Sequence, residues 1–175
     1  MFDPKYAERI EQIFKRYEDK RSAVMAMLYV AQDQYGWVSH EAIRDVAAIC
    51  ELDPTQVVSI AGFYSMYSEH KKGPYWLQVC TDLPCALKGA DGFYHDLLQL
   101  LGISADDGHD GGTTSDGMFT VEHVTCLAAC DKAPMLQCNF HYHESLDMEK
   151  VKALIEQWRA HYEATGLPSE PQGAP

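Results

Sequence analysis

Residues 75–90 run YWLQVCTDLPCALKGA. The first six positions alternate as a strand, with Tyr75, Leu77 and Val79 on one face. Cys80 stands where that strand gives way to a loop, and Cys85 lies in the loop, which Pro84 stiffens. The same order recurs downstream. MFTVEHVT (118–125) reads as a strand and runs directly into TCLAACDKAP (125–134), which carries Cys126 and Cys130. If the two strands pair in parallel, both cysteine pairs reach the same end of a sheet, where sites in open α/β sheets form.

Working outward, DGFYHDLLQLLG (91–102) reads as a helix closed by Gly102. SADDGHDGGTTSDG (104–117) reads as a polar Gly/Asp loop. PMLQCNF (134–140) and HYHESL (141–146) read as two further strands, and residues 148–162 place Met148, Val151, Leu154, Ile155, Trp158 and Tyr162 in a helical stripe. A strand, a crossover helix and a second strand predict one parallel pair, with a closing hairpin after it.

The chain before this segment has a helical period. Tyr6, Ile10, Ile13, Phe14 and Tyr17 recur at helical spacing, as do Val24, Leu28, Ala31 and Tyr35, with Gly36 ending the second helix. Ser39 is placed to cap a third, with Ile43, Val46, Ala47 and Cys50 on one face. Asp53, Pro54 and Gln56 open a fourth in capping-box order. The expected fold class is therefore α+β. A small helical bundle over residues 1–70 precedes a mixed-sheet α/β domain over 75–163, joined by the polar break SEHKKGP (68–74). Residues 164–175, rich in Pro and Gly, are expected to be disordered.

Composition narrows the function. The 175 residues carry a net charge of −12, with 46% hydrophobic residues and six cysteines. That acidity, without a Lys/Arg stripe, excludes nucleic acid as a natural partner. Acids near the N-terminus and no apolar h-region argue against a secretory signal, and no apolar run is long enough for direct membrane insertion. The expected location is cytoplasmic, where thiols stay reduced unless a metal holds them. Neither G-x-G-x-x-G nor a Walker loop is present, so a dinucleotide, if involved, binds a partner.

Two of the six cysteines read as core residues: Cys50 on its helix stripe and Cys138 alternating with Leu136 and Phe140. His141 and His143 share a strand face and read as solvated; His123 reads as an ordinary strand position. Phe63, Tyr64 and Tyr67 are candidates for docking or for core packing. The remaining thiols, Cys80, Cys85, Cys126 and Cys130, lack the C-x-x-C of a redox dithiol. Spacing alone leaves an iron–sulfur cluster, a zinc site and neither of these open.

VCTDLPCALKGA followed by FTVEHVTCLAACDKAPMLQCN resembles the thioredoxin-like 2Fe–2S subunit of respiratory NADH:quinone oxidoreductase (complex I), the 24-kDa type. YVAQDQYGWVSHEAIRDVA and VVSIAGFYSMY extend the likeness over nearly the whole chain. Similar subunits serve NAD-linked hydrogenases and formate dehydrogenases. The resemblance implies a thioredoxin-like fold and one 2Fe–2S cluster on Cys80, Cys85, Cys126 and Cys130. Backbone amides of 81–87 and 127–131 and the hydroxyls of Thr81 and Thr125 are the expected donors to sulfur. Asp82 and Asp131 would keep the potential low. It further implies an electron carrier without a substrate site of its own. FMN and NADH would sit on a partner flavoprotein subunit. Other peripheral-arm subunits would hold the chain at the inner face of the bacterial membrane. Where that family often has a glycine inside the second pair, this chain has Ala128 and Ala129.

Overall fold

A computed structural model describes residues 1–104 and 111–169. The chain divides into two compact units between Lys71 and Lys72.

The first unit is four helices: α1 (Ala7–Phe14), α2 (Val24–Tyr35), α3 (His40–Cys50) and α4 (Pro54–Phe63). Its core joins Ile10, Met27, Leu28, Ala31, Ile43, Val46, Cys50 and Val57, each drawn from the stripe of its own helix. The ends follow local chemistry. Gly36 adopts a left-handed φ of 76° at the end of α2, and Ser39 Oγ accepts the Ala42 amide at 3.1 Å. At α4 the Asp53 carboxylate accepts the Thr55 amide rather than that of Gln56, so the expected reciprocal box reduces to a single cap. Tyr17, expected on the first helix, lies beyond its end.

The second unit carries a five-stranded sheet of order β2-β3-β1-β4-β5. The strands are β1 (Tyr75–Cys80), β2 (Gly111–Thr113), β3 (Phe119–Val124), β4 (Leu136–Cys138) and β5 (His141–His143). As the sequence predicts, β1 and β3 are parallel and β4–β5 form a hairpin. Helices α5 (Leu83–Ala86) and α6 (Ala90–Leu101) make the crossover, and α7 (Met148–Thr165) closes the chain. One face of the sheet packs Tyr75, Leu77, Val79, Phe119 and Val121 on Phe93 and Leu97 of α6 and Val151 and Trp158 of α7. Tyr75 stacks against Phe119 and Trp158 at 5.4 and 5.5 Å, those two rings being 6.4 Å apart, and its hydroxyl donates to the Trp158 carbonyl at 3.0 Å. Stacked pairs of this kind contribute about 1 kcal/mol each beyond burial.

Three expectations change. β2 lies inside the stretch read as a polar loop, and it pairs antiparallel with β3; residues 105–110 of that stretch lie outside the described residues. β1 is buried along its whole length, because its second face also carries a covered network. There Lys72 Nζ and Gln78 Nε2 both donate to the Glu122 carboxylate, at 2.7 and 3.0 Å. Third, α7 runs on to Thr165, into the segment expected to be disordered, and the Ser169 amide donates to the Tyr75 hydroxyl at 3.1 Å. Residues 170–175 lie outside the described residues. The 68–74 break is anchored as well: the Ser68 amide donates to Gln32, and the Gly73 amide to Thr120 Oγ1 at 2.8 Å. No single helix among the described residues is long and apolar enough to cross a membrane.

Candidate functional site

Parallel pairing of β1 with β3 brings Cys80 into register with Val124, two residues before Cys126. The loops leaving those strands therefore start side by side. Thr81 extends the pairing by one bond, its amide donating to the Val124 carbonyl at 3.1 Å.

After β1 the chain turns at once into α5, with Pro84 in the first turn. The Asp82 carbonyl accepts the amides of Cys85 and Ala86, so α5 carries the Cys85 sulfur inward. Cys85 is 0% exposed and Cys80 1%. They pack with Ala90 and Met135, and with Leu127, Ala129 and Ala133 at the margin. Cys130 opens a single 3-10 turn, Cys130–Lys132, ahead of the cis Ala133–Pro134 peptide. Cys126 is exposed.

Cys80 and Cys85 pack in one buried cluster. Burial first, then the neighbouring Cys80 and Cys130, pushes the Cys85 thiol up to about 12. The Cys80 thiol also points toward the Thr125 carbonyl at 3.9 Å. Cys126 stands on the outer side of its loop, where the Ala128 amide donates to its Sγ at 3.4 Å. Among the described residues, no three His, Cys, Asp or Glu side chains form a ready set for a single metal ion.

Four of the expected amide donors are committed elsewhere. Those of Thr81, Cys85, Ala86 and Leu87 bond to backbone carbonyls. The Thr81 hydroxyl meets His123 Nδ1 at 3.2 Å, and the His123 ring packs edge-on against Tyr94. The amide directed at a sulfur is that of Ala128, and it is reached through a left-handed φ of 57°. An L-residue adopts that conformation only at a cost.

The second loop is held from outside by ties that sequence periodicity does not encode. Tyr142 Oη donates to the Leu127 carbonyl at 3.0 Å, and the Ser145 amide to that of Lys132 at 2.7 Å. Lys88 Nζ donates to the Asp131 carbonyl at 3.0 Å, joining the two loops. Cys50 and Cys138 are buried in the two cores, apart from this cluster. Tyr67 is buried, whereas Phe63 is 78% exposed and Tyr64 41%.

A parallel βαβ core with a closing hairpin, helices on one face and thiols after both parallel strands has the architecture of a thioredoxin-like α+β protein built around cysteine chemistry. The chain belongs to the Thioredoxin-like [2Fe-2S] ferredoxin family, whose pattern it matches over residues 10–159, and its cofactor is a 2Fe–2S cluster. It is 36% identical over 160 residues to an E-type NADH-quinone oxidoreductase subunit of Rhizobium meliloti, covering 91% of this chain and 92% of that one. It is 37% identical over 162 residues to NADH-quinone oxidoreductase subunit 2 of Thermus thermophilus, covering 91% and 86%. The fold also resembles that of an NAD+-reducing [NiFe]-hydrogenase in the H2-reduced state, with a TM-score of 0.64 at 19% identity. That match covers 77% of this chain but only 22% of the hydrogenase chain.

The donor set fits the cofactor. Thiols are the ligands 2Fe–2S clusters take. Four are present on adjoining loops: Cys80 and Cys85 share one buried apolar cluster, and the half-buried Cys130 and exposed Cys126 lie on the second loop.

Proposed function

We infer that Cys80, Cys85, Cys126 and Cys130 hold the 2Fe–2S cluster, and that the chain is the one-electron carrier beside the NADH-oxidising flavoprotein of an NADH:quinone oxidoreductase. The carrying observation is that the loops bearing the two cysteine pairs leave paired parallel strands side by side, and that Cys80 and Cys85 share one buried cluster with Met135. When bound, such a cluster supplies one reversible one-electron step.

The protein residues set the conditions for that step. Cys80, Cys85, Ala90 and Met135 make a dry inner wall, which keeps water from the sulfurs and raises the weight of every nearby charge. The Ala128 N–H bond to Cys126 Sγ disperses negative charge on that sulfur. Beside this wall Leu83 and Leu87 are 70% and 81% exposed, an apolar rim within about one helical turn of Cys85. Electron transfer requires close approach, and this rim is where the flavoprotein would cover the site. FMN and NADH then belong to that partner and the terminal acceptor to other subunits, and the chain reaches the inner face of the membrane only through the complex.

The test is anaerobic preparation with iron, acid-labile sulfide and zinc determined, and electron paramagnetic resonance after reduction. Two irons and two sulfides per chain and a reduced-state signal are expected. Each of Cys80→Ser, Cys85→Ser, Cys126→Ser and Cys130→Ser should lower or abolish both, and Cys50→Ser should not. Stoichiometric zinc, or full iron loading in all four variants, contradicts the reading.

A further inference from the structure

We propose that Lys88 is a positioning residue for the cluster: its ammonium straps the segment carrying Cys85 to the turn carrying Cys130, and fixes a positive charge beside the sulfurs. The inference rests on the ligand assignment proposed above.

Lys88 Nζ donates to the Asp131 carbonyl at 3.0 Å, a bond that spans 43 positions of sequence. Lys88 lies three residues after Cys85, and its own amide donates to the Cys85 carbonyl at 3.0 Å. Asp131 directly follows Cys130. The strap therefore begins one turn from one cysteine and ends one residue from another. A second side-chain bond between these loops, from the Cys80 thiol to the Thr125 carbonyl, is a weak one at 3.9 Å. An ammonium donor is stronger than a neutral one.

The charge has a direction of effect. The reduced site carries one more negative charge than the oxidised one, so a fixed cation favours reduction. Asp82 and Asp131 flank the same loops and act the other way. Lys132 is also a cation here, but its Nζ is 3.9 Å from Asp131 Oδ2, so its charge is partly balanced there.

The test uses the full chain with Lys88→Met, which keeps the length of the side chain and removes its charge, and Lys88→Arg, which keeps the charge and a donor. In cluster-loaded protein, Lys88→Met should release iron to a chelator roughly tenfold faster. Its midpoint should move negative by up to a tenfold change in the one-electron equilibrium constant, about 59 mV. Lys88→Arg should restore both. In metal-free protein, Lys88→Met should speed alkylation of Cys130 several-fold while leaving Cys50 unchanged. Release, midpoint and Cys130 reactivity all equal to wild type would overturn the strap, as would failure of Lys88→Arg to restore any of them. If wild-type protein takes up no iron, the ligand assignment fails instead, and the alkylation comparison still decides whether the strap exists.

Discussion

Cys80 and Val124 are the last register partners of the parallel β1–β3 pair, and from that one relationship both cysteine loops depart together. Register in a parallel pair is fixed by which side chains reach the core, and a slip of one residue would turn either Val79 with the rest of its strand face or Val121 with its own away from α6 and α7. The site is thus an outcome of core packing before it is an outcome of cysteine chemistry.

In metal-free native protein, alkylation should label Cys126 first and Cys130 second, since the one is exposed and the other half-buried. Cys80 and Cys85 should follow slowly. Cys50 should stay unlabelled until the protein unfolds, because burial pushes its thiol up to about 11 and shields it from reagent. Peptide mass spectrometry of a timed reaction checks the order. Early labelling of Cys50 or Cys85 ahead of Cys126 would contradict the arrangement.

Ala128 supplies a stability prediction at the same loop. Its φ of 57° is one that glycine adopts without the Cβ penalty. Ala128→Gly should therefore raise stability by about 1 kcal/mol, and Ala128→Val should lower it by a similar amount or more. Urea unfolding of metal-free protein measures both. A less stable glycine variant would mean the left-handed turn, and with it the N–H bond to Cys126, does not form.

The helix stripes, the parallel pair and the hairpin are legible in sequence because each element has a clean period. The cysteine pairs stand out because two strands lead into them. β2 is different: Gly111-Gly112 has the composition of a loop, yet its backbone pairs with β3 because nothing larger fits. A Cβ at Gly111 would lie 2.0 Å from the Val121 carbonyl oxygen, and one at Gly112 2.7 Å from Ile103 Cγ2. The ties from Lys88, Tyr142 and Ser145 escape a sequence reading for another reason, since they join residues whose proximity exists only after the sheet has formed.

Gly111→Ala tests that account of β2. The substitution meets backbone at a φ of 152° and should cost about 2 kcal/mol. It should also release amide protection along the β2 edge of β3 while leaving β1 and β4 protected. Hydrogen exchange on the variant separates these regions. Unchanged protection at both edges would mean that β2 does not depend on the missing side chain.

Acid pH singles out one carboxylate. Asp116 closes the turn before β3, accepting from the Thr114 hydroxyl, from Arg159 Nη1 at 2.6 Å and from the Met118 amide at 3.0 Å. The Thr114 bond first, then Arg159 and Met118, hold its carboxyl well below the ordinary carboxylate range. A folded value below the unfolded one, about 3.9, means the unfolded chain takes up the proton first as pH falls. The contribution is complete above about pH 4 and is lost as pH descends toward the depressed folded value. Asp116 and Arg159 are 42% and 36% exposed, so solvent screens the pair and the contribution should be modest, about 1 kcal/mol. Asp116→Asn should then be less stable than wild type by that amount at about pH 7 and about pH 5, with the gap narrowing between about pH 4 and about pH 2. The lowered carboxyls of Asp19, Asp45, Asp53 and Asp147 titrate in both proteins and cancel in the difference. Urea unfolding at each pH reads the gap directly, and a gap that widened below about pH 4 would reverse the sign argued for this carboxylate.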